Sequence, residues 1–198
     1  LPEIRNHHNI ILKGSPELSE YMADLCGRTE LIRARVIDRS KDNMLKVSTD
    51  GRKAALDLRL VGHTQPQDET CKIRRCVENV LYLYQEYPHC SQIIFCDYST
   101  PKKDCFNVYS ELKTLLMEQG IPQKEIAFIH SYHSEASRLS LYEKVNTGKI
   151  RILIGSTFKL GIGANVQTLL KAVHHLDVPW RPADVGRILR TFKIKKNV

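Results

Sequence analysis

The stretch IAFIHSYHSEASRLSLYEKVNTGKIRILIGST, residues 126–157, decides the fold. Its first five residues are an apolar run ending in His130, and its last seven are a second apolar run ending in Ser156 and Thr157. Between them Ser134 offers a helix cap, and the residues from there to Asn146 carry no Gly or Pro. The pattern predicts strand 126–130, helix 134–146 and strand 151–155. Two buried strands joined by a helix fit a parallel pair, which needs a crossover connection of this kind.

Working outward, the same alternation recurs. Ile73, Val77, Val80, Leu81 and Tyr84 mark one face of a helix, residues 92–97 form a short apolar run, residues 105–119 read as a helix, and residues 172–177 as a further strand. Strands alternating with helices predict an α/β fold, a parallel sheet covered by helices on both faces. In such sheets ligands gather at the carboxyl ends of the strands. The polar residues that follow each apolar run are Asp97 to Thr100, His130 and Ser131, Ser156 and Thr157, and Asp177.

The region ahead of this alternation reads differently. Ser15 and Pro16 form a helix-start signal, and Leu18, Met22, Leu25, Thr29, Ile32 and Val36 recur at spacings of four and three, predicting a helix to about residue 39. Residues 43–61 read as a short segment, a turn at Asp50-Gly51 and a charged helix, and residues 62–69 as a polar loop. The expected organisation is a helical extension and linker over residues 1–69 and an α/β lobe over residues 70–198.

Thirty Lys and Arg against 22 Asp and Glu give a formal charge of +8, which favours a polyanionic partner. The six cysteines include no CxxC pair, and no signal peptide or long apolar stretch is present, which predicts reduced thiols, a cytoplasmic setting, no membrane and no metal site. The chain starts at Leu1 and not Met, so it is expected to be a piece of a longer polypeptide.

Several chemistries lack their residues. A phosphate-binding P-loop would need glycine where Glu143 stands and Ser or Thr where Ile150 follows Gly148-Lys149. No strand ends in paired acidic residues suited to magnesium. Gly161 and Gly163 begin a dinucleotide-type pattern, but Val166 stands at the third glycine. Nothing marks a nucleophile elbow. The chain is therefore not expected to be an ATPase by itself.

The order of the remaining segments resembles the C-terminal RecA-like lobe of superfamily-two helicases of the Swi/Snf type, over about residues 71–190. QIIFCDYST, residues 92–100, looks like motif IV; a simple helix cap ahead of Pro101 is the other reading of Ser99 and Thr100. Arg138 sits at the family's helical arginine position or is a structural arginine. STFKLGIGAN, residues 156–165, is similar to motif V, and HHLDVPWRPAD, residues 174–184, resembles the next strand with its Asp-x-x-Trp-x-Pro element. Trp180 reads as packing.

Arg187 and Arg190 match the two arginines of motif VI. Only Val185 separates Asp184 from Gly186, about four residues short of the family's spacing, which would move the arginines along a helix by about 6 Å. The Lys-rich tail departs from the family's ending as well.

The resemblance implies nucleic-acid contacts at Ser99, Thr100, Ser131, Ser156 and Thr157, and ATP binding or coupling at Gly161, Gly163 and Asn165. It also implies arginine fingers at Arg187 and Arg190, which stabilise charge on the phosphoryl group in transfer. ATP and Mg2+ would be cofactors of a two-lobed protein whose upstream lobe binds the nucleotide, with DNA as partner. The order of segments, with residues 42–60 ahead of the lobe, looks closest to helicase-methylase proteins of plasmids and conjugative elements. That likeness implies an associated adenine-specific DNA methylase domain. The alternative is a non-catalytic DNA-binding or protein-interaction remnant with a degenerate motif VI.

Overall fold

The computed structural model describes residues 8–64, 71–102, 105–160 and 164–177. The chain divides into two compact units, one formed by Ile10–Lys72 and one built mainly from the residues after Lys72.

In the first unit, helix α1 spans Pro16–Arg33 and helix α2 spans Met44–Leu56. The Ser15 hydroxyl accepts from the Leu18 amide and proline opens the helix, as the sequence predicts. Two expectations are corrected. Helix α1 stops at Arg33, short of residue 39, where Ala34 caps it and Arg35 turns left-handed at φ 58°. Helix α2 runs straight through Asp50-Gly51, where a turn was expected. Its glycine serves packing, because a Cβ at Gly51 would meet the Leu25 side chain of α1 at 3.3 Å. Arg28 holds the pair together by reaching Asp42 through two nitrogens at 2.8 and 2.9 Å and Asp50 at 3.0 Å. Asn43 caps α2 through the Lys46 amide, and a 3-10 turn, Leu58–Val61, follows.

The second unit has the expected alternation. Helix α3 (Lys72–Glu86) leads to strand β1 (Ser91–Phe95), helix α4 (Val108–Glu118) to β2 (Ile126–Phe128), and helix α5 (Glu135–Asn146) to β3 (Ile152–Gly155). A four-residue helix α6 (Thr157–Leu160) and strand β4 (Leu170–His175) complete it. The strands form one sheet in the order β2-β3-β1-β4, parallel at every pairing. The fold class is α/β, the layout expected of a RecA-like lobe with a helical N-terminal region.

The strand alternation divides the side chains between two layers. Ile93 and Phe95 of β1, Leu153 of β3, and Ala127 and Ile129 pack with Leu141 and Val145 of α5. The intervening residues face the other helices: Gln92 donates to the Val80 carbonyl of α3, and the Phe128 ring meets Tyr109 of α4 edge-on at 5.5 Å.

At the amino ends of the strands, Arg151 gathers three carbonyls at the end of α3 and beyond it, Tyr84 at 2.7 Å, Tyr87 at 2.9 Å and Cys90 at 3.2 Å. Its guanidinium lies over the Tyr84 ring, 3.5 Å from the centroid. A cation there satisfies carbonyls that the helix leaves unpaired. The other end of the sheet is left to the candidate site.

Candidate nucleic-acid interface

Each strand of the sheet ends in the polar residues that the sequence places there, and the chain ties three of the four exits together through carboxylates and amides. Asp177, just beyond β4, is buried and accepts the Asp97 amide with both oxygens, at 3.0 and 2.8 Å, and the Tyr98 amide at 2.8 Å. Asp97, two residues past β1, accepts the Thr157 amide at 2.7 Å. The run Asp177 to Asp97 to Thr157 therefore joins the exits of β4, β1 and β3. Backbone amides are well matched to carboxylates because each bond is charge-assisted. Burial nonetheless dominates at Asp177 and pushes its carboxyl up to about 6, against the pull of those amides.

The exit of β2 is built around His130. Its ring meets Tyr109 edge-on at 5.2 Å, its Nδ1 is covered without a hydrogen-bond partner, and the Tyr109 hydroxyl donates to the Cys96 carbonyl. Burial lowers the imidazole to about 4, and the charge of Lys159 adds to that, so His130 is neutral at neutral pH. Helix α6 packs against the 3-10 turn Ile129–Ser131 that carries it.

The sequence-predicted contact residues divide into two groups. Ser99 is buried and its hydroxyl accepts the Val108 amide at 2.8 Å, next to the Asn107 cap of α4. Ser156 is buried and accepts the Lys159 amide within α6 at 3.4 Å. Both shape the exits. Ser131 is exposed, while Thr100 and Thr157 are half-buried, and the Thr157 hydroxyl itself is covered with no hydrogen-bond partner. Asn165 is exposed, and its carbonyl receives Asn146 from the end of α5 at 2.7 Å. Arg138 spends its guanidinium on the carbonyls of Tyr132 at 3.2 Å and His133 at 3.5 Å, holding the loop that precedes its own helix. Gly161, Gly163, Arg187, Arg190 and Trp180 lie outside the described residues.

Sequence reasoning marked Asp97, His130 and Asp177 as strand exits but assigned them no role. The signal was their position directly after apolar runs. What it lacked was the pairing between residues 60 and 80 positions apart.

Among the described residues no group of three or more His, Cys, Asp or Glu is placed to hold a metal ion, and no helix is long and apolar enough to cross a membrane. The two converging carboxylates, Asp97 and Asp177, accept backbone amides and so brace the loops.

No family model matches the chain, and no curated protein matches it. Among solved structures, the helicase domain of Pyrococcus furiosus Hef is similar, at 13% identity and a TM-score of 0.42, over 88% of this chain and 32% of that one. The chain thus spans about a third of the Hef domain's length. At that score the likeness assigns neither activity nor ligand.

Proposed function

We propose that this chain is the closing lobe of a two-lobed, DNA-dependent ATPase of the superfamily-two helicase type. Its part is to grip DNA at the carboxyl ends of its strands and to face an upstream lobe that holds ATP and Mg2+. The reading is supported above all by the carboxylate run from Asp177 through Asp97 to the Thr157 amide. That run joins the two segments whose sequences resemble motifs IV and V, and a lobe that couples DNA grip to nucleotide state needs those segments to move as one body.

In this reading Thr100 and Ser131 touch DNA phosphates, the Thr157 hydroxyl, covered in the free chain, joins them by turning outward, and Ser99 and Ser156 hold the backbone that presents them. Phosphate contacts of this kind set register on the strand and carry no base preference. Gly161, Gly163 and Asn165 serve ATP or its coupling, and Arg187 and Arg190 reach the phosphates from motif VI. The magnesium ion belongs to the upstream lobe, as the resemblance implies. A helicase-methylase parent, with an adenine-specific methylase domain beside the ATPase, is the finer form of the proposal and rests on the sequence order alone.

The test is a titration of a fluorescent oligonucleotide with the chain, followed by anisotropy between 50 and 200 mM salt. The expected result is binding that weakens linearly on a log-log scale, by about 0.7 in slope for each single-strand phosphate neutralised. Absence of binding at low salt contradicts the DNA-gripping role and leaves a protein-interaction module in its place.

A further inference from the structure

The rim of the sheet that carries the strand exits also carries Phe158, which is 83% exposed. Isolated exposed apolar residues are ordinary on protein surfaces. What distinguishes Phe158 is how it is held. Its helix has four residues, and the last of them, Leu160, is fully buried. The residue before the helix, Ser156, is buried and accepts the amides of Lys159 and Leu160 through its carbonyl. The amide of Thr157 is fixed by Asp97 at 2.7 Å. The phenyl ring is thus presented outward from a backbone pinned on both sides.

The residues on either side of the ring in sequence are polar. Thr157 and Lys159 flank it in sequence, and the charge of Lys159 reaches His130 on the neighbouring exit. Helix α6 contains no acidic residue, and the nearby carboxylates of Asp97 and Asp177 receive backbone amides. A flat exposed ring next to a lysine in sequence, on a chain of charge +8, is complementary to a nucleobase beside its phosphates.

We propose that Phe158 is a stacking platform for one unpaired base, so that the lobe engages single-stranded DNA and reads the presence of a base as well as the phosphate backbone. This inference rests on the DNA-binding reading and deepens it. Paired bases are already stacked in the duplex and offer the ring no free face, so the proposal also sets the order of preference, single strand over duplex. Because every base has a π-face, the platform is indifferent to sequence.

The experiment compares two oligonucleotides of equal length and charge, oligo(dT) and the same backbone made of abasic residues, binding to the chain and to its Phe158→Ala and Phe158→Trp variants. The ring is exposed, so neither substitution disturbs the core. The wild-type chain is expected to prefer oligo(dT), Phe158→Ala to bind oligo(dT) roughly 5- to 150-fold more weakly while its abasic affinity is unchanged, and Phe158→Trp to keep the preference. Equal affinity of the wild-type chain for both oligonucleotides, or an equal loss on both in Phe158→Ala, overturns the stacking platform and leaves the DNA-binding reading standing. No binding of either oligonucleotide by the wild-type chain overturns both.

Discussion

His174 shows how a residue that looks functional in sequence becomes structural in the fold. The pair His174-His175 lies on β4, where His174 Nε2 meets Gln92 Oε1 at 2.9 Å while Gln92 donates to the Val80 carbonyl of α3. With the Gln92 amide nitrogen already donating, its oxygen must accept, so the His174 ring carries its proton on Nε2. Burial lowers His174 to about 4, with the charge of His175 adding to it. An unfolded chain protonates this histidine near 6.5, so the stabilisation is complete above that pH and is lost as pH falls toward 4, on the order of 3 kcal/mol in all. His130 shifts the same way. Asp177 opposes them: its raised carboxyl penalises the fold above about 6, and that penalty is relieved as pH falls toward 3.8. Two losses against one gain predict a melting temperature that falls between pH 6.5 and 4.5. His174→Gln keeps a neutral donor for Gln92 and should flatten that fall; an unchanged slope would remove His174 from the account.

At the scale of elements, the β3–α6 junction is where packing and site meet. A Cβ on Gly155 would overlap the Leu160 side chain and lie 2.8 Å from the Ile129 Cγ2, so glycine is required there by close approach and not by its backbone angle. Neither neighbour has room, since both are fully buried. Gly155→Ala should therefore cost about 1–3 kcal/mol in a urea denaturation series, the range for an extra methyl in a packed core. A loss under about 0.5 kcal/mol would mean that α6 yields easily, and the rigid presentation of Phe158 would go with it.

The elements also show what was legible in the sequence. Strand β1 could be placed to within two residues and helix α5 to within one, because apolar runs and a Ser134 cap leave little choice. Helix α2 was misread at Asp50-Gly51 because a glycine packed closely against a neighbouring helix looks the same in sequence as one demanded by a turn. The end of α1 was misread because the apolar spacing continues through Val36 while the backbone turns left-handed at Arg35.

For the whole molecule, the parallel sheet was legible because strand–helix alternation admits few other layouts. The address proposed for the site, at the carboxyl ends of the strands, follows from the same topology. The internal wiring does not. Asp97 and Asp177 gain their roles from partners far away in the chain, and Ser99 and Ser156 turned from candidate contacts into buried supports of the loops they occupy. Periodicity reports which face a residue occupies, but it is silent on which amide a side chain will find.

The central claim is a division of labour between this lobe and a nucleotide-binding lobe upstream of it. It is tested most directly by isolating the native polypeptide that contains this sequence from its source cells and measuring ATP hydrolysis with and without single-stranded DNA, beside the 22.7 kDa chain alone. The account predicts a longer polypeptide whose hydrolysis rises with DNA, and an isolated chain that binds DNA without hydrolysing ATP. A native polypeptide whose ATP hydrolysis is absent, or indifferent to DNA, would contradict it.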